Sequence, residues 1–109
     1  MSYRPDNWVV IRITGDDPHY RVLAGWSGDY LHGSSYRMNS GITKVVEDSS
    51  FYHFHGYTGS VYTCSKESYG LKMSTAYIWE QMKSLHKEKV ELMPEGTDWT
   101  IVDWIIGKD

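Results

Sequence analysis

Phe51-Tyr52-His53-Phe54-His55-Gly56-Tyr57-Thr58-Gly59-Ser60-Val61-Tyr62-Thr63-Cys64-Ser65 is a run of aromatic and β-branched residues broken at Thr58-Gly59. Such side chains suit a pleated, half-buried surface, and a glycine-bearing break between two such runs marks a reversal. The stretch therefore predicts two antiparallel strands, 51–57 and 61–65. Side chains alternate across a strand, so Phe51, His53, His55 and Tyr57 share one side. If Thr58-Gly59 is a two-residue turn, His53 faces Cys64 and His55 faces Tyr62. A turn one residue longer sets Ser65 opposite His53 instead.

The same alternation extends upstream. In 8–14, Val9, Ile11 and Ile13 share one side, and Trp8, Val10, Arg12 and Thr14 the other. In 19–27, Tyr20, Val22, Ala24 and Trp26 form the apolar side. A third strand is expected over 36–46, bulged or bent at Gly41. Turn-forming clusters separate these segments at Gly15-Asp16-Asp17-Pro18, Gly28-Asp29, Gly33-Ser34-Ser35, Asp48-Ser49-Ser50 and Glu95-Gly96.

Downstream the period changes. From Ser74 to Lys87, Ile78, Trp79, Met82, Leu85 and His86 recur at helical spacing, with Glu80, Lys83 and Lys87 mainly opposite. Ser74 or Thr75 can cap this helix. Core packing is the ordinary use of its Trp and Met stripe. Val90-Glu91-Leu92 reads as a short edge strand ended by Pro94. The following 98–106 is apolar, and a free terminus does not keep such a segment in water. It packs back on the domain, or Trp99, Trp104, Ile105 and Ile106 join a homo-oligomer.

The expected architecture is one β-rich α+β domain over residues 1–109. An antiparallel sheet of about five strands curls toward a small SH3- or Sm-like barrel. One amphipathic helix, at about 74–87, and a short apolar tail follow. The 109 residues fit a single domain, given roughly 150 residues per domain. A net charge of −3 argues against a strongly basic nucleic-acid clamp or a polybasic membrane anchor. One cysteine permits no intrachain disulfide and fits a reducing compartment. Trp8-Val9-Val10-Ile11 is far shorter than the roughly 20 residues of a spanning helix, and the N-terminus lacks a signal-peptide run. A soluble, cytoplasmic protein is expected.

Phe51, His53, His55, Tyr57 and Tyr62 would form an aromatic, partly polar platform on the hairpin. The nine tyrosines and five tryptophans favour contact surfaces, since these residues give large area at low conformational cost. A host or bacteriophage macromolecule is the expected partner. Single-stranded nucleic acid is the alternative, because bases stack on such platforms at about 1–3 kcal/mol each. Arg21, Arg37, Lys44, Lys66 and Lys72 would supply positive charge if they cluster.

In the two-residue-turn register, His53, His55 and Cys64 also gather as three zinc ligands with one position open. The plainer reading is two half-exposed histidines and a small packed cysteine, with no cofactor. Catalysis finds little support. Gly25-Trp26-Ser27-Gly28 is one residue short of a nucleophile elbow, and no phosphate-binding glycine loop is present. Asp16-Asp17 and Glu47-Asp48 sit in turn segments, where carboxylates are ordinarily solvated. A non-enzymatic binding protein is expected.

Four stretches, 8–13, 20–28, 39–45 and 55–62, resemble small accessory proteins of tailed bacteriophages. They span most of the first 65 residues. The resemblance implies work in an infected bacterial cytoplasm on a host or phage macromolecule. Some small phage proteins are similar to Sm-like barrels that assemble into rings, which adds an analogy of fold but carries over no site residue.

Overall fold

The computed structural model describes residues 2–27 and 35–104. The turn signals at Gly28-Asp29 and Gly33-Ser34, and the tail residues Ile105 and Ile106, lie outside them. The elements in chain order are β1 (Ser2–Tyr3), β2 (Asn7–Ile13), β3 (His19–Trp26), β4 (Ser35–Met38), β5 (Ile42–Glu47), β6 (Phe51–Gly56), β7 (Val61–Ser65), α1 (Met73–His86) and β8 (Val90–Leu92). They form an α+β domain with two four-stranded sheets, a hairpin sheet ordered β1-β7-β6-β5 and a central sheet ordered β4-β3-β2-β8. The two are not closed into a barrel, so the single curled sheet expected from the sequence is replaced by a pair.

The division has a local cause. The expected third strand breaks at Asn39-Ser40-Gly41. Buried Asn39 accepts the Val22 N–H on its side-chain oxygen at 2.8 Å and donates its own N–H to the Val22 carbonyl at 3.1 Å. That clamp holds β4 to β3. Gly41 then adopts φ 141°, a backbone region that disfavours other residues, and the chain leaves for the second sheet. A strand that switches sheets at a bend is a common corner in packed sheets.

β2 is buried on both sides, which explains why both of its alternating sets are apolar. Val9 and Ile11 join Leu23 and Trp79 in the cluster beneath α1. Trp8 and Val10 face the opposite way, into a core shared with Tyr20, Val22, Phe54 and Tyr62. Trp8 also ties the sheets together, donating its indole N–H to the Ser65 carbonyl at 2.7 Å.

The helix begins one residue before the expected start, with Lys72 at the cap rather than Ser74 or Thr75. Thr75 acts from the first turn instead: its hydroxyl accepts the Lys72 N–H at 2.9 Å, as the third residue of a capping box does. Thr75 also lies 3.1 Å from Asn7 Oδ1, a buried polar contact between helix and sheet. Trp79 carries the buried stripe with Ile78 and Met82 beside it, whereas Leu85 and His86 are exposed.

The tail packs back. Trp99 and Trp104 are 2% and 8% exposed, in the chain's own core. Trp99 touches the rings of Trp8, Phe54 and Tyr69, and Trp104 touches those of Tyr20 and Phe54. Val102 is partly buried beside them, whereas Ile101 is exposed. Among the described residues, no helix is long and apolar enough to cross a membrane.

Candidate functional site on the outer face of the hairpin sheet

The β6–β7 ladder pairs His53 with Thr63, Tyr52 with Cys64 and Phe54 with Tyr62. This register matches neither turn considered from the sequence. The loop has three residues, Tyr57-Thr58-Gly59, closed by a Gly56 N–H to Ser60 carbonyl bond of 3.0 Å. Gly59 sits at φ 88°, and a three-residue hairpin loop commonly ends on such a left-handed residue. The reversal therefore starts one residue earlier than Thr58. Each β7 residue is displaced by one position, and a one-residue shift exchanges the two sides of a strand.

Tyr62 and Cys64 accordingly point inward. Both are core residues, 2% and 0% exposed. Tyr62 leaves the expected platform. Cys64 lies on the side opposite His53 and His55, so the zinc trio is not brought together. Among the described residues, no group of three or more His, Cys, Asp or Glu side chains converges to hold a metal. Desolvation pushes the Cys64 thiol well above its ordinary range, which keeps it protonated.

Phe51, His53 and His55 share the outer face, as alternation requires. Their neighbours on β5 are Val46, opposite His53, and Lys44, opposite His55. Val46 is half exposed. Tyr57 stands at the rim, 64% exposed, with its ring laid against Gly41. A Cβ at Gly41 would come within 2.8 Å of that ring, so the glycine makes room for the rim tyrosine. Arg4 completes one end. Its guanidinium lies 4.8 Å from the centre of the Phe51 ring, a cation–π contact.

His53 is held from both sides. Its Nε2 lies 2.7 Å from Asp48 Oδ2 and its Nδ1 lies 3.0 Å from Thr63 Oγ1. Asp48 in turn accepts the N–H groups of Ser50 and Phe51 on Oδ1 at 2.9 and 2.8 Å. The hydrogen bond from His53 is the main cause, with the two backbone donors behind it, of an Asp48 carboxyl held down at about 2. Asp48, which can only accept, takes the Nε2–H of the imidazole, and the Thr63 hydroxyl pairs with Nδ1. This carboxylate–imidazole–hydroxyl chain orients the ring on an open sheet face. Burial, then the neighbouring Lys44 and His53, lower the pKa of His55 and favour its neutral ring.

Sequence reasoning missed Arg4, Val46, Asp48 and Thr63 as members of this face. Asp48 carried a signal, since Asp two residues before Ser50 can cap its own turn. Arg4 carried none, because β1 is a two-residue strand that pairs parallel with β7. Of the expected positive cluster, Lys44 alone lies on this face. Lys66 turns inward over Tyr52 and pairs with Glu47 at 2.5 Å, and Arg37 stacks on Tyr3. Comparison with protein-family models, curated proteins and solved structures gives no match to this chain.

Proposed function

We propose that this protein is a non-enzymatic binding module that engages a macromolecular partner through the outer face of the hairpin sheet. One observation carries the reading. Helix α1 and the two tail tryptophans cover the other surfaces of the strands, while Phe51, His53, His55, Val46 and Tyr57 lie on a face that α1 and those rings do not cover. The face joins two aromatic rings, two imidazoles, an apolar valine and the cations Arg4 and Lys44. Mixed aromatic and cationic surfaces of this kind supply contact area and directional bonds together. The His53 clamp holds part of that surface in one arrangement before binding, which lowers the ordering cost of association.

A host or phage macromolecule in an infected bacterial cytoplasm is the setting that the phage resemblance implies. The reading needs an open sheet face and does not depend on an SH3- or Sm-like barrel. The test is capture of partners from bacterial lysate by wild-type protein and by His55→Ala/Tyr57→Ala. Loss of specific partners in the variant is the expected result, and an unchanged set rejects this face. Single-stranded oligonucleotide binding that weakens steeply with salt would assign the partner as nucleic acid. The stacked Arg4–Phe51 pair and Lys44 are the features that favour that second reading.

A further inference from the structure

We propose that two copies of this chain pair edge to edge through β5, antiparallel, with Val46 on the twofold axis. β5 is the last strand of the hairpin sheet. Its hydrogen-bond phase follows from the adjoining turn, where Asp48 N–H donates to the Phe51 carbonyl at 3.0 Å. Bonded and non-bonded pairs alternate along an antiparallel ladder, so Val46 and Lys44 aim their backbone groups at β6. Val45 and Glu47 aim theirs away from the sheet. Among the described residues, no hydrogen bond uses those outward groups. Two donors and two acceptors, spaced two residues apart along a line, are the template for an extended strand.

Charge then selects the strand and the register. A twofold axis at Val46 sets Val45 opposite Glu47 of the second copy, so each of these two pairs exchanges both N–H···O bonds. Lys44 falls opposite Asp48, an attractive pair, and half-exposed Val46 meets itself. An axis at Glu47 would instead oppose two glutamates. An axis at Val45 would pair Lys44 with Val46 and run into the bulge between Ile42 and Lys44. The strand fits one arrangement of itself, as an isologous contact requires. The contact is short: near Ile42 the neighbouring Gly41 lies against His19 of β3. A weak, concentration-dependent dimer follows. It would align the outer faces of both copies on one side of a continuous sheet. This inference rests on the strand edge and stands apart from the partner-binding reading.

Cysteine cross-linking of the full chain tests it, because native Cys64 is buried and out of reach. Residues facing each other in a non-bonded antiparallel pair have Cα atoms about 4.5 Å apart, within the range that a disulfide spans. Val46→Cys should give a covalent dimer on mild oxidation. Lys44→Cys should not, since the two copies of residue 44 would lie roughly 14 Å apart. Glu47→Pro removes an outward N–H and should abolish reversible dimerisation in sedimentation, while Glu47→Ala, which loses the same Lys66 ion pair, should retain it. Cross-linking of Lys44→Cys as readily as Val46→Cys, failure of Val46→Cys to cross-link, or equal dimerisation of the two Glu47 variants would overturn the proposal.

Discussion

Tyr52 and Cys64 stand opposite each other across the β6–β7 ladder, both turned into the space between the sheets. The pairing leaves the Cys64 thiol fully buried, with its Sγ 3.7 Å from the Tyr62 carbonyl. Burial disfavours the thiolate, and the thiolate is the reactive form. Native protein should therefore resist alkylating and disulfide-exchange reagents at neutral pH, and denaturant should restore full labelling. Fast labelling of the folded chain would contradict the inward register.

The Asp48–His53 pair makes a stability claim with a definite sign. Folding depresses the Asp48 pKa from 3.8 to about 2, chiefly through the His53 hydrogen bond. A depressed carboxyl contributes stability that is fully present above its unfolded value and is lost as pH falls through the folded one. Asp48→Asn should lower the melting temperature at pH 7, and the difference should shrink as pH falls through about 2 and vanish below it. Thermal unfolding across that interval checks the convergence. A constant difference at all pH values would show that the carboxylate charge is not involved.

Much of this was legible in the chain. Period-two alternation located β2, β3, β6 and β7, and the switch in period located α1. The tail's tryptophans announced burial, and burial in the same chain is what they do. The register was not legible, because it turns on Gly59 adopting a left-handed backbone that closes a three-residue loop. The sequence Tyr57-Thr58-Gly59 permits that turn without requiring it. From this single residue follow the errors at Tyr62 and Cys64. The division into two sheets was hidden for a similar reason. Asn39 looks like an ordinary turn residue, and its clamp on Val22 depends on a partner that is distant in sequence. The two-residue β1 lies below the length at which any pattern can show.

At Gly25 the central sheet leaves room for Thr75 of α1. A Cβ there would lie 2.7 Å from both Asn7 Oδ1 and Thr75 Cγ2, inside normal contact distance. Gly25→Ala should push the helix start off the sheet and strain the Asn7–Thr75 bond. Overpacking of this kind typically costs about 1–3 kcal/mol. Chemical denaturation should show a lower midpoint with an unchanged slope.

The tail tryptophans should behave as core residues. Trp99→Ala removes a ring that contacts Trp8, Phe54, Tyr69 and Trp104. Truncation of a buried tryptophan costs about 3–5 kcal/mol, a large share of the stability of a domain this size. Urea unfolding should show that loss, and a change of only a few tenths of a kcal/mol would mean that the ring is dispensable to the core.

Recognition by the outer face is tested most directly by comparing partner capture between variants on two opposite surfaces. Phe51→Ser/His55→Ala alters the outer face of the hairpin sheet, and Tyr77→Ala alters the exposed side of α1, which packs on the other sheet. With both variants shown to be folded, the first should lose the partners that wild-type protein retains, and the second should keep them. Retention by the first together with loss by the second would contradict the assignment and move the binding surface to the helix.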